Sequence, residues 1–280
     1  MTMVASVNHS SGNHDKGEKM TTLNALLWGG IAALLSITAQ ANMPDEGISM
    51  QGTRLIYAAK AKNGVTFNVT NNSSQVYLLQ SRVLPWKAQN TEPAITQNPD
   101  KKLTPFMVLP PLVRFSENET ITLRIRLTEN RLPVDRESAF TLALKAIPGQ
   151  PAPEMAKGEG EGEGEGEGAK MVLALQNNLK MFYRPEGLPQ MDANIRANKL
   201  QFAYRDGQLE INNPTPYYAT FGELSIDGHA VSSSSIPMIE PYSHVLHPIK
   251  TTDKAEVRWK IIDDLGRKTA EQTQHLNDTH

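Results

Sequence analysis

The sequence contains no cysteine. Disulfide staples, thiolate metal sites and cysteine nucleophiles are therefore excluded, and hydrophobic cores must carry the stability alone. A basic excess is missing as well. With 28 Lys+Arg against 30 Asp+Glu the formal net charge is -2, which leaves nothing to hold a polyanion, so nucleic acid is not an expected partner. No G-x-S-x-G elbow and no P-loop stretch occurs. His244 and His247 in "HVLH" lack the H-E-x-x-H arrangement, and a strand would throw positions three apart to opposite faces. Neither catalysis nor a metal or cofactor is expected. Finally, the apolar run "ALLWGGIAALLSI" ends at Ile37, short of the roughly 20 residues that span a bilayer.

What that run does carry is an export signal. Lys16 and Lys19 precede it and small residues ending "TAQAN" follow it, so cleavage is expected after Ala41. Residues 1–41 are read as leader and signal peptide and set aside from the fold. The mature chain is then an exported protein with no stable membrane insertion.

From Gly47 onward the apolar residues recur with a period of two, which reads as strands separated by turn residues. Val65, Phe67 and Val69 share one face of "GVTFNVTNN". Ile121, Leu123, Ile125 and Leu127 do so in "ETITLRIRL", and Phe140, Leu142 and Leu144 in "SAFTLALKAIP". One face packed and one face wet is the pattern of an antiparallel sandwich. About seven strands up to "LALQNNLKMFYRP" fit one Ig-like domain of roughly 100 residues. The pattern restarts at "LQFAYRDGQLEINNP", where Asp206-Gly207 is a hairpin signal. The class is thus all-β, with Ig-like sandwiches over residues 42–186 and 187–280. Leu109-Pro110-Pro111 should end or kink a strand, with a cis bond left open.

A long loop, residues 149–170, contains the ribbon "EGEGEGEGEG" directly before the last strand of the first domain. Glycine makes such a ribbon costly to order and glutamate keeps it solvated, so Gly158–Gly168 is expected to be disordered. Its charge would also guard an adjacent apolar edge against self-pairing.

Taken in order, "TRLIY", "FMVLPPLVRF", "RESAFTLALKAIP", "LALQNNLKMFYRP", "NPTPYY" and "IIDDLG" resemble the periplasmic chaperones of the chaperone/usher pathway. The resemblance covers essentially all of the mature chain. It implies two Ig-like domains in an L-shaped, boomerang arrangement, located in the periplasm. It further implies binding and stabilisation of fimbrial or pilus subunits by donation of an edge strand, and their delivery to an outer-membrane usher. By the same resemblance Met171, Leu173 and Leu175 are donor-strand residues, and Arg54 and Lys180 anchor the subunit's C-terminal carboxylate. Glu137, Arg184 and Asp264 match an interdomain ion triad. Lys180 has the opposite parity from the three donor residues, so a twist or bulge near Asn177 and Asn178 is expected. The long loop resembles one chaperone subgroup whose disulfide this chain cannot form. The alternative is a secreted two-domain Ig-like adhesin or fibre subunit, which the sandwich pattern alone fits equally.

Overall fold

A computed structural model describes residues 47–86, 104–149, 173–232, 234–249 and 254–276, all within one compact unit, Asp45–His280. The expectations for the leader, for cleavage after Ala41, for Met171 and for the Gly158–Gly168 ribbon lie outside the described residues.

Alternation builds the first sandwich. In β7 (Thr120–Leu127) Ile121, Leu123 and Ile125 are buried while Thr120, Thr122 and Arg124 are exposed, so one face is available to a second sheet. β7 lies between β3 (Val65–Asn71) and β5 (Phe106–Leu109), and β1 (Ile48–Met50) pairs on the far side of β3. The facing sheet has the order β2 (Arg54–Ala58), β9 (Leu175–Arg184), β8 (Ser138–Pro148), β4 (Tyr77–Pro85) and β6 (Leu112–Phe115). Between the sheets Phe67, Leu79, Phe115, Leu123, Ile125, Leu142, Met181 and Tyr183 are closed off from water. Each such side chain contributes on the order of 1.5–3 kcal/mol.

Two features depart from a simple antiparallel reading. The chain crosses from one sheet to the other between β1 and β2, and β2 then pairs with β9 in parallel, the one parallel pair among the described strands. β5 and β6 likewise belong to different sheets. The cis Leu109–Pro110 bond and Pro111 separate them, because proline donates no hydrogen bond to a ladder and so ends a strand. β1 and β6 raise the first region to nine strands where sequence periodicity suggests about seven.

The second region opens with the short helix α1 (Ala193–Asn198), whose N-cap Asp192 accepts a hydrogen bond from the Ile195 N–H at 2.8 Å. One sheet orders β10 (Gln201–Arg205), β11 (Gln208–Asn213) and β14 (Ser243–Pro248). The other orders β13 (His229–Ala230), β12 (Phe221–Ile226), β15 (Glu256–Ile261) and β16 (Gln272–His275). Asp206 and Gly207 turn the β10–β11 hairpin with φ of 50° and 76°, the left-handed pair that a two-residue hairpin loop requires. A separate core holds Phe202, Leu209, Ile211, Ile239 and Trp259. Trp259 Nε1 donates to the Ala197 carbonyl at 3.0 Å and so ties α1 to this core.

Candidate functional site

β9 serves two environments along one strand. Leu179, Met181 and Tyr183 lie on its inward stripe and are buried in the first core. Leu175 continues the same stripe but is 61% exposed, and Leu173, just ahead of the strand, is 65% exposed. The apolar stripe therefore runs past the end of its own core.

The edges of β9 are equally divided. β8 pairs with it throughout, from Ala146↔Leu175 to Ser138↔Tyr183. β2 covers the other edge only from Arg54↔Lys180 to Ala58↔Arg184. Leu175–Leu179 thus have no strand on their outer side among the described residues. Open backbone groups beside exposed apolar side chains are a template for another strand.

No bulge occurs at Asn177 and Asn178, because the β8–β9 register is unbroken through Leu144↔Asn177 and Ala143↔Asn178. Lys180 and the leucines accordingly point to opposite faces. An edge strand offers a partner both faces as well as its open backbone, so a single ligand does not require them to share one.

Arg54 and Lys180 are direct register partners across the β2–β9 pair. Arg54 Nη1 donates to the Ile262 carbonyl at 3.2 Å, and its guanidinium lies 5.9 Å from the centre of the Phe182 ring. Its buried Nε has no hydrogen-bond partner. Lys180 Nζ donates to Thr220 Oγ1 at 3.4 Å and stands 5.5 Å from the centre of the Trp86 ring. Among the described residues neither cation has a carboxylate partner. Burial, with the charge of Arg54 beside it, pulls the Lys180 ammonium down to about 8. Burial also lowers Arg54, against the opposing pull of Asp264 and Asp263. Two partly desolvated cations with spare N–H donors are a chemically apt receptor for one carboxylate.

A second cluster joins residues of the two sandwich regions. Arg184 donates from Nε to Glu137 Oε1 at 2.8 Å, from Nη1 to Asp264 Oδ2 at 2.7 Å and from Nη2 to Asp264 Oδ1 at 3.0 Å. Glu137 is 3% exposed. Its Oε2 accepts the Tyr218 N–H and its own N–H donates to the Pro216 carbonyl, both at 2.9 Å. The structure thus brings Glu137, Arg184 and Asp264 together.

It adds Arg196, which sequence reasoning missed. From α1, Arg196 Nη2 donates to Asp264 Oδ1 at 3.0 Å. The Tyr217 ring lies 5.0 Å from the Arg184 guanidinium and 4.9 Å from that of Arg196. Burial works against ionisation of Asp264, but the hydrogen bonds and charges of Arg184 and Arg196 outweigh it and hold the carboxyl at about 2. For Glu137 burial dominates and pushes the carboxyl up, with Arg184 and the Tyr218 N–H offsetting only part of it. Elsewhere among the described residues no three His, Cys, Asp or Glu side chains gather in a way that could hold a metal ion.

Two Ig-like cores, an edge strand half open beside exposed leucines and two cations without an ion pair among the described residues are features that strand pairing with another chain could use. Residues 47–189 match the family described as pili and flagellar-assembly chaperone, PapD N-terminal domain. Residues 196–273 match pili assembly chaperone PapD, C-terminal domain. The chain belongs to this family of pilus-assembly chaperones, whose work is folding and delivery rather than catalysis. It is 31% identical over 250 residues to the chaperone protein LpfB of Salmonella typhimurium, covering 88% of this chain and 96% of that protein. Among solved structures it is similar to the Escherichia coli chaperone DraB, with a TM-score of 0.65, 25% identity and coverage of 81% and 97% of the two chains. The fold is shared with a chain in the complex of the Salmonella enterica SafA pilin with the SafB chaperone, with a TM-score of 0.66, 23% identity and coverage of 82% and 96%. The family assignment sets aside the adhesin or fibre-subunit alternative.

Proposed function

We propose that this chaperone works in the periplasm, that it lends β9 to fimbrial or pilus subunits, and that it passes them to an outer-membrane usher. The observation that carries the reading is the half-open edge of β9, where β2 covers Lys180–Arg184 and, among the described residues, no strand covers the outer side of Leu175–Leu179. A strand added there continues the sheet where β2 stops, the mode of recognition for which chaperone–pilin pairs are a known instance. Leu173 and Leu175, with Met171 ahead of them, would enter apolar pockets of the subunit. Each side chain fully buried in this way is worth on the order of 1.5–3 kcal/mol before ordering costs.

Arg54 and Lys180 fix the register. They lie in the ladder at the end of the open segment, so a subunit whose C-terminal carboxylate meets them must run parallel to β9. The carboxylate would supply the ion pair that neither cation makes among the described residues, and an acceptor for the unsatisfied Arg54 Nε. Glu137, Arg184 and Asp264, joined by Arg196, would hold the two domains in the orientation this capture needs. Buried ion pairs are better suited to setting orientation than to adding strength.

Leu175→Arg tests the reading directly. The side chain is already exposed, so the variant should fold with an unchanged melting temperature yet fail to copurify with a coexpressed fimbrial subunit. Normal copurification would refute strand donation by β9.

A further inference from the structure

Both cations at the open end of β9 are accompanied by aromatic rings where acids would ordinarily stand. Arg54 has Phe182 and Lys180 has Trp86. Phe182 belongs to β9 itself, but Trp86 comes from elsewhere. It is the residue after β4, half-buried, and the register Leu84↔Thr141 and Thr141↔Lys180 sets it by alternation on the outer face of the sheet.

A desolvated ammonium ordinarily either loses its proton or recruits a carboxylate. A carboxylate fixed beside Lys180 would keep the charge but compete with any carboxylate arriving from outside. An aromatic face attracts a cation electrostatically without neutralising it. We infer that Trp86 is a positioning residue for Lys180, its ring standing in for a counter-ion so that the ammonium stays charged, turned toward Thr220 and open to an incoming carboxylate. This rests on the carboxylate-anchoring reading of Arg54 and Lys180 and extends it to a residue outside the donor strand.

The surroundings of Lys180 leave this role to the ring. From β2 the facing charge is Arg54, which opposes a proton on Lys180. Near β12 the neighbour is the neutral Thr220 hydroxyl, and on β8 it is Thr141. Asp263 and Asp264, in the turn after β15, act on Arg54. Burial and Arg54 pull the ammonium down toward about 8, and the ring face, 5.5 Å away, is the attractive group placed to act against that pull.

The test is the titration of the Lys180 side chain by carbon-13 NMR in the whole protein, with its signal assigned through Lys180→Arg. In Trp86→Leu the midpoint should fall by roughly half a pH unit or more, as loss of one partly desolvated cation–π contact requires. In Trp86→Phe it should stay near the unsubstituted value. In the unsubstituted protein the Trp86 ring signals should shift with the same midpoint as Lys180, a readout that needs no altered ring. An unchanged midpoint in a folded Trp86→Leu, an equal fall in Trp86→Phe, or Trp86 signals indifferent to the Lys180 titration would each overturn the inference. A separate arm compares binding of a synthetic peptide of alternating valine and threonine with a free C-terminal carboxylate and of the same peptide as its amide. Equal binding of the two counts against carboxylate anchoring and not against the Trp86–Lys180 pairing, which the titration decides.

Discussion

Arg54 and Lys180 stand opposite each other in the parallel β2–β9 ladder, at the residue where the outer edge of β9 passes from covered to open. The first rung of β2 thus does two things. It extends the domain's own sheet, and it places a pair of cations where the proposed subunit strand would end.

Removing either cation should separate binding from folding. Among the described residues neither Arg54 nor Lys180 holds an ion pair, so Arg54→Ala and Lys180→Ala should fold normally. Each loses charge-assisted hydrogen bonds of about 1.5–3 kcal/mol to the subunit carboxylate, a weakening of roughly 10- to 100-fold. Affinity for a purified subunit, measured by calorimetry, checks this. Unchanged affinity in both variants would remove the anchor.

Lys180 should also be a liability for stability. Its folded value of about 8 lies below the ordinary 10.5, so between these values the unfolded chain binds more protons and stability rises with pH. At neutral pH the cost is fully present. Lys180→Met should therefore stabilise the protein by roughly 1–2 kcal/mol at pH about 7, a figure discounted for the water that reaches the ammonium. The gain should vanish above pH about 10.5. Urea unfolding across this range decides it, and a gain independent of pH would point to packing instead.

The charge cluster responds to acid. Asp264 titrates at about 2 in the folded chain against an ordinary 3.8. Its contribution is complete above the ordinary value and is lost as pH falls through about 2. Asp264→Asn should flatten the stability profile over that window. Arg184→Leu should cost about 3–5 kcal/mol at neutral pH, because it leaves the buried Glu137 without its hydrogen-bonded cation. A cost under about 1 kcal/mol in chemical unfolding would show that Glu137 is otherwise compensated.

Alanine substitutions along one stripe of β9 should divide cleanly. Leu179 is 4% exposed, so Leu179→Ala should destabilise the domain by about 2–5 kcal/mol. Leu175→Ala should change stability by less than about 0.5 kcal/mol while weakening subunit capture. Equal destabilisation by the two would mean that Leu175 packs in this chain's own core.

The strands most readily read from sequence were those with sustained alternation. β3, β7 and β8 each carry three or more apolar residues at every second position. β1 and β6 have three and four residues, too few for a period to emerge, and α1 has six. Arg196 was illegible for the same reason, since nothing in "ANIRAN" distinguishes an arginine facing Asp264 from one facing water. The local signal for the helix that carries it is Asp192, a residue type favoured at N-caps. Trp86 was hidden differently, because its partner is 94 positions away in the numbering of Lys180 and Trp86 and only the β4–β8–β9 register brings the two together. The twist or bulge expected near Asn177 and Asn178 came from assuming that one ligand must be met from one face. That assumption holds for a groove and fails for an open edge.

The unbroken β8–β9 register also bears on the entropy of capture. Fixing a free backbone costs about 1–2 kcal/mol per residue, and a loose donor peptide would meet that cost at the moment it entered a subunit. Leu175–Leu179 are already ordered by β8 before any subunit arrives. On the proposed donation by β9, the strand left behind by a departing subunit would not collapse into a new ensemble but return to the ladder with β8, ready for the next chain without having to refold.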